Sequence, residues 1–101
     1  MSPSRGRALV EGCLAEKPGA WDAFLEAYGP FVWSLCLGRG LPRDLAGDAF
    51  QATFIIIWQN LGALRDPVAL LCWVGRIARR EIERIRRTEA AHQRNRLHVA
   101  L

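Results

Sequence analysis

The chain has 101 residues, half of them hydrophobic and 24% charged, a composition that suits one compact globular domain and excludes a disordered or low-complexity protein. The formal net charge of +4 is unevenly held. Between positions 76 and 96 eight arginines stand against Glu81, Glu83 and Glu89, a balance of +5, whereas the rest of the chain carries a balance of −1.

The opening MSPSRGRALVEG lacks the apolar stretch of a signal peptide. The longest apolar run, FIIIW at 54–58, is far short of the roughly 20 residues that cross a bilayer. A soluble, cytoplasmic protein with no membrane partner is expected.

The first helical segment is expected over about 7–16, where Leu9, Val10, Cys13 and Leu14 recur at helical spacing before Lys17-Pro18-Gly19 breaks the pattern. A second runs over about 19–37, with Trp21, Phe24, Leu25, Tyr28, Phe31, Val32, Leu35 and Cys36 forming a wide apolar stripe. Gly29-Pro30 interrupts it, because proline lacks an amide donor and crowds the preceding turn, so one kinked helix or two short ones both fit. Gly38-Arg39-Gly40-Leu41-Pro42 makes a turn, with Pro42 placed to open the next helix.

The third segment, about 42–61, carries Asp44 and Asp48 near its positive N-terminal end and Ala46, Phe50, Phe54, Ile57 and Leu61 on its apolar face. FIIIW taken alone would suit a strand, but the surrounding period is helical. GALRDP, 62–67, reads as a short loop. The fourth segment, about 67–91, sets Leu71, Val74, Ala78, Ile82 and Ile85 on one face. HQRNRLHVAL, 92–101, shows no continued period and reads as a frayed helix end or the start of a linker. The expected architecture is all-α: a bundle of about four helices without a sheet, with one domain over 1–90 and a tail over 91–101.

Two outward surfaces stand out. On the fourth segment Arg76, Arg80, Arg84 and Arg87 follow at spacings of 4, 4 and 3, with Arg79 and Arg86 widening the band. A solvated face and a phosphate-binding face both fit such a run, though guanidinium groups suit phosphate because their planar donors engage two oxygens at once. On the third segment Asp44, Asp48, Gln51, Ile55 and Gln59 lie away from the core stripe. Ile55 among polar neighbours fits a protein-docking side, unless a neighbouring helix covers it. Trp58 and Trp73 read either as core or as platforms for unpaired bases.

Cys13, Cys36 and Cys72 are odd in number and far apart, and each sits in an apolar pattern, which predicts buried reduced thiols. His92 and His98 are six apart, which does not suit two ligands on one helix face. No metal site and no cofactor are expected. Neither a Gly-rich phosphate loop nor a nucleophile paired with a base is present, so neither an enzyme nor a small-molecule substrate is expected.

GDAFQATFIIIW (47–58), LRDP (64–67) and CWVGRIARREIERIRR (72–87), preceded by AWDAFLEAYGPFVWSLC (20–36), together resemble region 2 of extracytoplasmic-function sigma factors of the sigma-70 family. The resemblance covers about residues 8–90. It implies that Asp44, Asp48, Gln51, Ile55 and Gln59 face the clamp helices of the largest catalytic subunit of core RNA polymerase. It implies further that the loop around Asn60 to Pro67, with Asn60 and Arg65 as its contact residues, captures a flipped base of the minus-ten promoter element. Trp73, Arg76, Arg79, Arg80, Arg84 and Arg87 would then meet the non-template strand and its phosphates. An anti-sigma factor is a further candidate partner.

The chain departs from that pattern at Ala52, where many members have glutamate, near Ile56, where a basic residue is common, and at Arg80, where asparagine is frequent. The family's second helical domain, which reads the minus-thirty-five element, has no counterpart in these residues, so promoter binding by the chain alone is expected to be weak. Two other readings remain: an interaction module that binds polymerase or an anti-sigma factor without productive DNA binding, and a helical repressor placing its fourth helix in a major groove.

Overall fold

The structure is a computed structural model that describes residues 3–64, 66 and 69–100. Among the described residues four α-helices follow one another: α1 Pro3–Leu14, α2 Ala20–Gly38, α3 Arg43–Asn60 and α4 Leu70–Ala100, with a 3-10 turn, Leu61–Ala63, directly after α3. No strand occurs among the described residues, so FIIIW is helical, as the period around it predicts. The bundle is elongated, 56 × 22 × 22 Å. α4, with 31 residues, sets the long axis at about 46 Å.

Each helix turns one stripe inward. Phe24, Tyr28, Val32 and Cys36 of α2 meet Ala46, Ala49, Phe54 and Ile57 of α3 and Leu70, Val74, Ala78 and Ile82 of α4 in one core, all less than a tenth exposed. Val10 and Cys13 of α1 close one side of it. Burying such side chains stabilises the fold by about 1.5–3 kcal/mol for each large aliphatic or aromatic one. Thr53 is fully buried because its hydroxyl donates to the Ala49 carbonyl at 2.7 Å, which leaves no polar atom without a partner. Neither Ala49 nor Thr53 belongs to the inward face expected from the apolar letters alone.

Pro30 lies inside a single continuous α2, which settles the choice left open at Gly29-Pro30. Its exposed position lets the proline ring and the missing amide face water instead of the core. α1 ends in a Schellman turn. The Glu16 amide donates to the Cys13 carbonyl and the Lys17 amide to the Gly12 carbonyl, both at 3.0 Å, with Glu16 itself left-handed at φ 54°. Glycine is the usual residue there, since any Cβ is crowded in that conformation.

Four expectations need correction. α4 runs to Ala100, beyond the expected end near 91, because a helix already propagating needs only one backbone bond per added residue and no apolar stripe. Leu14 and Leu71 are 54% and 51% exposed, not inward: the turn at Glu16 fixes which residues of α1 face the bundle, and Leu70 takes the inward place of the Leu70-Leu71 pair. Cys72 is exposed while Cys13 and Cys36 are buried, since Cys72 falls on the side of α4 that carries Arg76. Burial pushes the Cys13 and Cys36 thiols up from their ordinary pKa, so both remain unreactive thiols at neutral pH.

Candidate functional site: two outward helix faces

The outer face of α3 is built by period. Asp44, Asp48, Gln51, Ile55 and Gln59 sit three or four residues apart, so a straight helix stacks them in one row. All five are exposed. Ile55 is 51% exposed, which removes the alternative that a neighbouring helix covers it.

Two hollows flank this row. Toward α2 an apolar groove of about 530 Å³ is lined by Trp21 and Leu25 of α2 and by Phe50, Gln51, Phe54, Ile55 and Trp58 of α3, with Gly47 at one end. Its floor is a run of ring contacts. Phe50 meets Phe54 at 4.9 Å and Trp21 meets Trp58 edge-on at 5.2 Å, while Trp33, outside the lining, backs Phe50 edge-on at 5.8 Å. Such pairs add about 0.5–1.5 kcal/mol each beyond the area they bury and hold the floor in one shape. Toward α4 a smaller crevice is lined by Leu45, Asp48, Arg84, Ile85, Thr88, Glu89 and His92.

Trp58 is 56% exposed and belongs to the groove rim, whereas Trp73 packs partly buried against the core. Trp21 and Leu25 join the surface although their letters read only as core. They were detectable in principle, because an apolar stripe as wide as that of α2 exceeds what one core side needs.

The arginines of α4 are not equivalent. Arg76, Arg79, Arg80, Arg84 and Arg87 are all exposed. Arg84 donates from Nε to the buried carboxylate of Glu81 at 2.9 Å. Arg86 pairs with Glu83 at 3.4 Å and donates to the Arg39 carbonyl at the end of α2, where a cation also meets the negative end of that helix. Arg79 folds back along α4, so a Cβ on Gly75 would lie 3.2 Å from its Nη1. Arg76, Arg80 and Arg87 make no ion pair among the described residues. These three lie within a narrow sector opposite the core stripe of α4, and they form the open part of the basic face.

Asn60 bonds back to its own helix, donating from Nδ2 to the Ile56 carbonyl at 2.8 Å. Arg65 lies outside the described residues. No cluster of three or more potential metal ligands occurs among the described residues, and none of their helices is long and apolar enough to cross a membrane.

The family model of sigma-70 region 2 matches residues 24–92, a span that holds α2 from Phe24 onward, all of α3 and the row of arginines on α4. Neither the curated proteins nor the solved structures give a match to the chain.

Proposed function

The chain belongs to the sigma-70 region 2 family, and from that premise we propose that it docks on core RNA polymerase through α3 and presents α4 to the promoter. Region 2 is a part of the initiation machinery that binds polymerase and promoter DNA and makes no bond itself. At finer grain, Asp44, Asp48, Gln51, Ile55 and Gln59 receive the clamp helices of the largest catalytic subunit. The segment around Asn60 to Pro67, through Asn60 and Arg65, together with Trp73 and the arginines Arg76, Arg79, Arg80, Arg84 and Arg87, meets the melted minus-ten element.

The observation that carries this reading is the exposure of Ile55 and Gln51 beside an aromatic-floored groove. Burying an isoleucine and part of a Trp-rich rim against a protein yields a dry centre with polar edges, the anatomy of a stable interface. Unpaired arginines on the next helix supply the phosphate contacts. Flipping a base out of the duplex costs a few kcal/mol, which close contacts around the extruded base and a basic surface offset.

The test mixes the chain with core polymerase and a forked DNA bearing single-stranded non-template bases. Tight binding is expected only with polymerase present, and forked DNA is expected to be preferred over duplex. Gln51→Ala with Ile55→Glu should weaken polymerase docking at least tenfold while leaving the helical circular-dichroism signal unchanged, because both side chains face water in the free chain. Unaided binding to duplex would instead identify a repressor, and docking without DNA preference an interaction module.

A further inference from the structure

Glu81 belongs to neither outward face. It lies on the inward row of α4, one turn after Ile77 and one turn before Ile85, both buried, and is itself 8% exposed. In such a row an apolar side chain packs freely, whereas a carboxylate must be drawn out of water. Within the fold it gains one charge-assisted bond, from the Arg84 Nε at 2.9 Å. A buried ion pair is often no better for stability than apolar residues of similar volume. The other Glu–Arg pair at the same spacing on α4, Glu83 with Arg86, keeps its carboxylate half exposed and carries no such penalty.

The contact does more for Arg84 than for the core. A guanidinium is a flat fork, with Nε on one side and the two Nη nitrogens at the far end. Holding Nε against a carboxylate packed between two isoleucines fixes the plane of the fork. Neither Nη makes a hydrogen bond among the described residues, and the side chain is 54% exposed. That free end is the part that engages two phosphate oxygens along parallel bonds. Asp48, Glu89 and His92 share a crevice with Arg84, but Glu81 is its one ion-pair partner among the described residues. Arg80 and Arg87, four and three residues away on the same side of α4, have no carboxylate to orient them. Of these three arginines, Arg84 alone is held in advance.

We propose that Glu81 is a positioning residue for promoter binding: from inside the bundle it sets the Arg84 guanidinium so that its Nη end meets a backbone phosphate. The inference rests on the reading of α4 as the DNA-facing helix. An anchored side chain has less freedom to lose on binding, so the ordering that this contact needs is already complete in the free chain.

The experiment measures the affinity of the polymerase-bound full chain for forked DNA, with thermal melting of the free chain alongside. Charge and positioning predict opposite signs. Glu81→Met removes a negative charge from beside the basic face, so a purely electrostatic role predicts tighter DNA binding. Positioning predicts binding about two- to tenfold weaker, with a melting temperature no lower than that of wild type. Glu81→Gln keeps an acceptor oxygen within reach of the Arg84 Nε and should recover most of the lost affinity. In a chain that already carries Arg84→Gln, adding Glu81→Met should weaken DNA binding no further, because Glu81 acts through Arg84. Tighter DNA binding by Glu81→Met, or an equal loss with and without Arg84, overturns the proposal. So does weaker binding of Glu81→Met to polymerase without DNA, which would move the Arg84 contact to the protein partner. If Glu81→Met binds DNA as wild type while replacing Arg80 and Arg87 still lowers the salt dependence, α4 faces DNA and Glu81 serves only the fold. If the wild-type complex shows no preference for forked DNA, the reading of α4 falls and this inference falls with it.

Discussion

Glu81 is 8% exposed, and its carboxylate is tolerated at the edge of the core because the Arg84 Nε lies 2.9 Å away. The Arg84 side chain is itself 54% exposed, so the pair is half in water and its own attraction is modest. Removing the arginine, however, leaves a largely buried carboxylate without its donor. Arg84→Ala is therefore expected to lower unfolding stability by about 1–3 kcal/mol. Arg87→Ala, whose guanidinium has no carboxylate partner among the described residues, should stay within about 0.5 kcal/mol of wild type. Paired urea titrations of the two variants check this. Equal stabilities would mean that the Arg84–Glu81 contact does not support the fold. In the sequence the two arginines are the same letter on the same stripe, and only the inward turn of Glu81 separates them.

At the scale of the helices, α2 and α4 approach closely where Gly75 faces Phe31. A Cβ at Gly75 would stand 3.4 Å from the Phe31 Cζ and 3.2 Å from the Arg79 Nη1. The guanidinium can swing aside, but Phe31 is held in the α2 stripe. Gly75→Val is expected to destabilise by about 1–3 kcal/mol, the usual result of overpacking, with a lower midpoint in urea and an unchanged helix content. A wild-type midpoint would show that α4 can shift away from α2 without loss. This approach was not legible in the letters, where Gly75 sits in an apolar-to-basic transition without any turn signal. The existence of the helices was legible, because Phe24, Tyr28, Val32 and Cys36 recur at a helical period and Lys17-Pro18-Gly19 and Gly38 to Pro42 punctuate it. Less legible were features that depend on how helices meet. The exposure of Leu14, Leu71 and Cys72 follows from entry angles, and the groove needs Trp21 and Leu25 brought beside Ile55. The continuation of α4 to Ala100 carries no apolar period, in keeping with the exposure of residues 92–99. On the candidate surfaces the outward row of α3 was readable from spacing alone, whereas the division of the arginines between internal bonds and open water was not.

At the scale of the whole molecule, positive charge and the apolar groove lie on different helices. The positive excess lies on α4, while the groove on α3 is apolar and carries Asp44 and Asp48 on the adjoining row. A chain that bound DNA by general stickiness would lose affinity evenly as any arginine was removed. Here the internal bonds of Arg84 and Arg86 leave Arg76, Arg79, Arg80 and Arg87 without an ion pair among the described residues, with Arg79 folded back along the helix. Replacing Arg80 and Arg87 by glutamine should therefore reduce the slope of log affinity against log salt by about 1.4–1.8, since each lost phosphate contact removes roughly 0.7 on single strands and 0.9 on duplex. The measurement uses the polymerase-bound chain on forked DNA across a salt series. The weakening should be nearly uniform across promoter sequences, because phosphate contacts position the protein and do not read bases. Ile55→Glu in the same assay should reduce the amount of complex formed without changing its slope, because that side chain lies on another helix, on the face proposed to meet polymerase. An unchanged slope for the double glutamine variant would mean that Arg80 and Arg87 point into solvent in the complex, and the proposed promoter contact would have to come from Trp73, Arg76, Arg79 and the segment between α3 and α4.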